Sequence, residues 1–145
     1  MKALIQRVKH ASVTIKGELY SEIGKGFLVF LGVEKNDSVE NAEKLAQKIV
    51  NLRIFEDQNN KMNFSLSDIN GELLIVSQFT LCADCKKGTR PSFDAAASCD
   101  KAVDLYEYFI KCIKQYGIMP QTGKFRAMMD VELINDGPVT FFIEK

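Results

Sequence analysis

An unbroken apolar run, Phe27 to Val33, gives way within six residues to apolar positions spaced three and four apart. The run has strand length and falls far short of the roughly 20 apolar residues a membrane helix needs, so it reads as a buried strand. The spaced positions, Val39, Ala42, Leu45, Ala46, Ile49 and Val50, make one face of a helix. Asp37 followed by Glu40 fits its start, because a side-chain oxygen there can accept from the free first-turn N–H groups. Lys48 and Arg53 suit the negative end of its dipole. The two periods side by side point to mixed α and β structure.

The other segments extend that pattern. Ala3 to Val8 and Ala11 to Ile15 are apolar and β-branched at alternate positions and read as two strands, with turns at Lys16-Gly17-Glu18 and Gly24-Lys25-Gly26. Asp57 to Asn60 is a polar turn, and Glu72 to Leu81 reads as a strand. Lys86 to Pro91 is a charged loop. A second helix is predicted over Cys99 to Tyr116, with an apolar face of Ala102, Leu105, Tyr106, Phe109, Ile113 and Tyr116. Gly117 stands where a left-handed C-terminal residue belongs. Met128 to Ile134 and Val139 to Ile143 read as strands punctuated by Asn135-Asp136-Gly137-Pro138. The expected class is α+β, mostly antiparallel strands in a barrel-like or two-sheet arrangement with two principal helices. No linker or composition break interrupts residues 1–145, so one domain is expected.

Composition excludes several functions. Lys plus Arg and Asp plus Glu both number 19, a formal net charge of zero. This rules out a strongly basic nucleic-acid glue and an acidic disordered chain, while leaving room for a local basic patch. The N-terminal MKALIQRVKH lacks the apolar stretch of a secretory signal, so the expected location is the cytoplasm. There the four cysteines, Cys82, Cys85, Cys99 and Cys112, are expected as free thiols.

Few residues announce chemistry. Cys82 and Cys85 form a CxxC, but no helix start follows to lower a thiol pKa and no second ligand pair completes a zinc site. No metal or cofactor is expected. His10 is the only histidine and falls in a charged turn between two predicted strands, where it reads as a solvated turn residue. Ser77-Gln78-Phe79-Thr80 ends a buried strand. Its polar groups either bond neighbouring backbone or line a pocket. Gly137-Pro138 is either a plain turn or a place where glycine admits another backbone closely. Lys86, Lys87 and Arg90 follow the Ser-Gln-Phe-Thr segment directly. They are solvated cations or, beside a pocket, phosphate contacts.

Taken together, the segments MKALIQRV, ASVTI, LRIFED, KMNFSL, SQFTL, KGTRPSF and NDGPVT make the chain resemble the D-aminoacyl-tRNA deacylases of the D-Tyr-tRNA deacylase type. The resemblance implies a cytoplasmic homodimer that hydrolyses the ester between a D-amino acid and tRNA, and also glycine mischarged on tRNA-Ala. It implies that SQFTL, here Ser77 to Leu81 with Thr80 the candidate nucleophile, forms one wall of the site. A cis Gly137-Pro138 peptide from the other subunit forms the second and rejects L-substrates through its backbone. Arg7 would support the Gly-Pro carbonyls, with Phe125 and Met129 beside the substrate and Lys86, Lys87 and Arg90 toward the tRNA. Two places depart from the family pattern: Cys82 stands where Tyr is common, and Arg126 stands where the family reads Gly. A threonine hydroxyl is a weak nucleophile without an adjacent base. The favoured route is therefore water assisted by the vicinal hydroxyl of the terminal ribose, with backbone N–H groups near Phe79 and Thr80 holding the oxyanion. A non-catalytic module that binds an RNA end or a synthetase is the alternative.

Overall fold

The computed structural model describes residues 1–86 and 88–145. Strand β1 (Lys2–Ile15) runs into β2 (Glu18–Ile23) through a two-residue turn. Lys16 and Gly17 both have positive φ, 54° and 83°, as a type I′ hairpin turn requires. Then come β3 (Gly26–Gly32), α1 (Val39–Val50), a small hairpin of β4 (Phe55–Glu56) and β5 (Met62–Phe64), and β6 (Glu72–Ser77). A 3₁₀ turn (Phe79–Cys82), α2 (Cys99–Gln115), β7 (Gln121–Thr122) and β8 (Asp130–Glu144) complete the order.

The main sheet follows the path β2-β1-β3-β6-β7, with β8 on the other edge of β1. The β1 ladders to β2, β3 and β8 are antiparallel. The β3·β6 and β6·β7 ladders are parallel. The two ends of the path meet: buried Ser21 on β2 donates its hydroxyl to the Thr122 carbonyl on β7 at 2.9 Å. The sheet is thus a nearly closed barrel, as the α+β reading expects. Among the described residues no helix is long and apolar enough to cross a membrane.

The unbroken apolar run now has its reason. Phe27, Val29 and Leu31 of β3 and Leu73 and Ile75 of β6 join a core with Leu45 and Ile49 of α1 and Phe109 and Ile113 of α2. Leu28, Leu74 and Val76, on the opposite face, join Val8, Val13 and Ile23 inside the barrel. A strand buried on both faces has no solvent side to alternate with.

Several expectations change at strand ends. Ala3 to Val8 and Ala11 to Ile15 are one strand, and His10 sits within it opposite Ile134, half-exposed, with Nε2 3.6 Å from Glu22. It is not a turn residue. Register shifts around Val8 explain the misreading, because an irregular pairing breaks the apolar alternation as a turn does. The helix cap of α1 is Ser38, whose N–H donates to Asn41 Oδ1 at 2.9 Å. Asp37 is buried and accepts from the Glu34 N–H instead. Arg53 lies beyond the C-cap Asn51 and donates to Asn63, not to the helix end. Glu72 to Leu81 is a strand only as far as Ser77. Tyr116, expected on the buried face of α2, is the exposed C-cap. Met128 to Ile134 and Val139 to Ile143 belong to one strand that begins at Asp130.

Helix α2 is fixed to the sheet by Tyr106, whose buried hydroxyl donates to the Ile75 carbonyl at 2.8 Å. Burial pushes the phenol pKa up. The same carbonyl accepts the Gly123 N–H at 2.9 Å, so removing the hydroxyl leaves it partnered. Tyr106→Phe should therefore cost only about 1 kcal/mol. Phe109→Ala, at a fully buried position, should cost roughly 3–5 kcal/mol. Urea unfolding, with the same slope for both variants, is the check.

Candidate functional site

Strand β6 ends at the site. Gln78 N–H donates to the Leu31 carbonyl at 2.8 Å, extending the β3 pairing by one bond before the chain winds into the 3₁₀ turn. Cys82 anchors that turn from inside: it is buried, and its thiol donates to the Val33 carbonyl at 3.4 Å. Burial pushes its pKa up, the opposite of what a reactive thiol needs. Cys85 points to solvent, and both are free thiols. The first bond within the turn runs from Leu81 N–H to the Gln78 carbonyl at 3.2 Å. The N–H groups of Phe79 and Thr80 precede it, so the turn's own ladder leaves them available.

A cavity of about 540 Å³ opens beside this turn. Ser77, Gln78 and Phe79 line it from β6 and the turn, and Phe125, Arg126, Met128 and Met129 from the segment before β8. Ala97, Cys99 and Ala102 line it from the start of α2. Phe79 is 58% exposed and its ring centroid lies 5.0 Å from that of Phe93. Phe125 leans on Tyr106 with centroids 5.7 Å apart. Thr80 is exposed, and its hydroxyl oxygen accepts from the Gln78 side-chain amide. Lys86 and Arg90 lie on the exposed loop that the Asp84–Ser92 bridge closes. Lys87 lies outside the described residues.

A second cluster forms where β8 departs from its partner. Gln6 pairs with Thr140 and Val8 with Asn135, so residues 136–139 bulge out opposite Arg7. Arg7 is only 5% exposed. Its Nε donates to the Asp136 carbonyl at 2.9 Å and its Nη1 to the Ile54 carbonyl at 2.7 Å, with the Glu56 carboxylate 3.4 Å from Nη2. The supported carbonyl is thus one residue before Gly137, not one of the Gly-Pro carbonyls. Asn135 closes the base of the bulge: Val139 N–H donates to its Oδ1 at 2.7 Å, and its Nδ2 donates back to the Val139 carbonyl at 3.3 Å. Gly137 has φ 136°, and the Gly137–Pro138 peptide is cis. A Cβ at Gly137 would lie 2.7 Å from Val139 and 3.1 Å from Arg7 Nη2, so conformation and space both demand glycine. Gly137 and Pro138 are exposed and do not line the cavity of their own chain.

Comparison with known proteins decides the family. The profile described as D-Tyr-tRNA(Tyr) deacylase matches residues 4–144. The chain belongs to the D-Tyr-tRNA(Tyr) deacylase family. It is 56% identical over 143 residues to a D-aminoacyl-tRNA deacylase of Thermodesulfovibrio yellowstonii, covering 99% of this chain and 98% of that protein. It is 59% identical over 144 residues to a D-aminoacyl-tRNA deacylase of Geotalea daltonii, covering 99% and 96%. A solved structure named c-Myc DNA Unwinding Element Binding Protein superposes with TM-score 0.95 at 41% identity, over 100% of this chain and 99% of that one.

Against the deacylase pattern, Arg126 now has a conformation. Its φ is +63°, the left-handed region where a side chain costs roughly 1–2 kcal/mol. The glycine that the resemblance leads one to expect at this place would suit that backbone. Of the residues singled out in the sequence, the fold brings Ser77, Gln78, Phe79, Phe125 and Met129 to one cavity. It places Arg7, Gly137 and Pro138 in the second cluster. Sequence reasoning missed Asn135 as the clamp of the bulge, although NDGPVT contained it. It also missed Ala97 and Ala102, whose smallness leaves the cavity open and carries no sequence signal.

Relieving the left-handed arginine should stabilise the protein. Arg126→Gly removes the steric cost but adds the unfolded-state entropy of glycine, roughly 0.5–1 kcal/mol. A net gain of about 0.5–1 kcal/mol is expected, raising Tm by roughly 2–4 °C. Calorimetry of the two proteins at matched concentration measures it.

Proposed function

We propose that this chain hydrolyses the ester of D-aminoacyl-tRNA, and of glycyl-tRNA, as a single-domain cytoplasmic homodimer that rejects L-substrates and needs no cofactor. The observation that carries this reading is the cavity lined by Ser77, Gln78 and Phe79, with Thr80 next in the chain but outside the lining, in a chain matched to the deacylase family over residues 4–144. A mostly apolar cavity with a few convergent polar groups is the usual form of a small-ligand site. The acyl end of the substrate enters it. The N–H groups of Phe79 and Thr80, left over by the 3₁₀ turn, supply donors for the oxyanion. One such donor is worth roughly 3–4 kcal/mol in the transition state.

Proton traffic is the harder requirement. Among the described residues the lining includes no carboxylate and no imidazole. The Thr80 hydroxyl oxygen accepts from an amide, which does nothing to remove its proton. Attack by water, with the vicinal hydroxyl of the terminal ribose taking part, avoids both difficulties.

The dimer follows from the separation of the two clusters. Gly137 and Pro138 stand exposed on β8, away from their own chain's cavity, with Ile134 and Phe142 more than half exposed on the same strand. A second copy placed along β8 would cover that apolar surface and present its Gly-Pro backbone to the cavity. A carbonyl held close to the substrate Cα excludes a side chain of one hand and tolerates hydrogen, which accounts for glycine as a substrate.

Matched D- and L-tyrosyl-tRNA incubated with purified protein should show release of the D-amino acid only, from a species of about twice the 16.3 kDa chain mass in sedimentation. Binding of tRNA without release of either would favour the non-catalytic module. Thr80→Ala should keep deacylation within about tenfold of wild type, a loss of at most ~1.4 kcal/mol. A substrate lacking the vicinal ribose hydroxyl should react at least about a hundredfold more slowly, twice that energy. An acyl-threonine trapped on the wild-type protein would make Thr80 the nucleophile instead.

A further inference from the structure

The turn that brings Phe125 to the cavity holds a cation at its next residue. Ala127 N–H donates to the Lys124 carbonyl at 3.1 Å, closing a four-residue turn with Arg126 in third place. φ is positive at Arg126 but not at Phe125. That is the type II pattern, whose third position favours glycine. Residues held against backbone preference in this way cluster at ligand clamps. The side chain here is a guanidinium, exposed, at the lining of the cavity with Gln78 and Phe79.

Two other arginines of the chain are committed to protein acceptors. Arg7 holds the Ile54 and Asp136 carbonyls, and Arg53 holds the Asn63 carbonyl and side chain. Arg126, among the described residues, takes part in no ion pair. The cavity lining offers it no Asp or Glu. A ligand that fills the cavity lies beside this exposed guanidinium, and an anion carried by that ligand within its reach gains charge-assisted hydrogen bonds.

The substrate class of the deacylase reading, on which this inference rests, has an anion of one kind in that neighbourhood. Its acyl part carries an ammonium. The phosphodiester that joins the terminal nucleotide to the rest of the RNA is attached to the same ribose as the ester. We infer that Arg126 grips this phosphodiester while the ester lies against Ser77, Gln78 and Phe79. The flat, multiply donating guanidinium suits two phosphate oxygens better than an ammonium does. The contact is present before and during reaction alike, so it acts on substrate binding and not on the chemical step. Arg126 is a positioning residue peculiar to a chain that carries arginine at this turn.

The test compares D-tyrosyl-tRNA with D-tyrosyl-adenosine, the same ester with no phosphodiester. Arg126→Gln keeps the backbone conflict and removes the charge. It should raise KM for the tRNA about tenfold, with kcat changed by less than about twofold, and the loss in kcat/KM should be at least about fivefold larger on the tRNA than on the adenosine ester. The slope of log KM against log salt on the tRNA should fall by about 0.7, one phosphate on a single strand. Arg126→Lys should recover part of the loss, and Arg126→Gly should match Arg126→Gln. Equal losses on both esters, or an unchanged salt slope, would overturn the phosphate contact. If wild type cleaves neither D-ester, the deacylase reading fails on its own. Fluorescence anisotropy with uncharged tRNA then decides this inference: weaker, less salt-dependent binding by Arg126→Gln supports it, and identical binding curves sink it.

Discussion

A guanidinium buried under a bulge in β8 holds three separate parts of the chain at fixed distance. Arg7 projects from β1 and donates to the carbonyl after α1, at Ile54, and to the carbonyl at Asp136, with Glu56 beside it. A buried charge must have partners, and stripping one from such a group typically costs about 3–5 kcal/mol. The constraint therefore works in both directions. The acceptors keep Arg7 in the interior, and Arg7 keeps residues 136–139 from collapsing into the regular pairing that β1 and β8 have on either side. Asn135, bonded to Val139 in both directions, fixes the base of the same bulge from within β8.

The cavity depends on a different compromise. Strand β3 and strand β6 run parallel and are apolar on both faces, because α1 and α2 cover one side and the barrel interior takes the other. Parallel strands of this kind put their carboxyl ends together, and the chain leaves both ends by turns. The β3 end passes to Glu34 and the β6 end to the Phe79–Cys82 turn. Cys82 fills the space beneath, where an added Cβ at Gly32 would meet its sulfur at 3.0 Å. Cys82, where the resemblance leads one to expect tyrosine, serves here as core packing beneath the turn.

Two positive-φ residues stand at the two clusters and are treated differently. At Gly137 the space is closed: Val139 and Arg7 leave no room for a Cβ. At Arg126 the backbone makes the same demand but the side chain reaches open solvent at the cavity lining. A steric requirement can be met only by glycine, whereas a conformational one can be overridden at modest energetic cost. That difference lets one position stay glycine while the other acquires a charge.

The elements themselves were legible in the residues. The unbroken run at Phe27, the three-and-four spacing from Ala42 to Val50 and the long amphipathic stretch after Cys99 report burial on one or both faces, although Val39 in the first turn of α1 is half-exposed, and burial is what side-chain type encodes most directly. Motifs such as SQFTL and NDGPVT carried the family. The sequence also held the residues of both clusters, but as separate strings: Arg7 and Asp136 lie 129 positions apart. Tertiary structure decided the rest. It turned His10 from a turn residue into a strand residue, because irregular pairing and a true turn disturb alternation alike. It put Asp37 in the interior and Ser38 at the cap. It made Asn135 a clamp and Ala97 and Ala102 an opening, roles that depend on what lies opposite them. Local composition determines which side chains avoid water; only the completed pairing of distant strands determines which backbone groups are left facing a ligand.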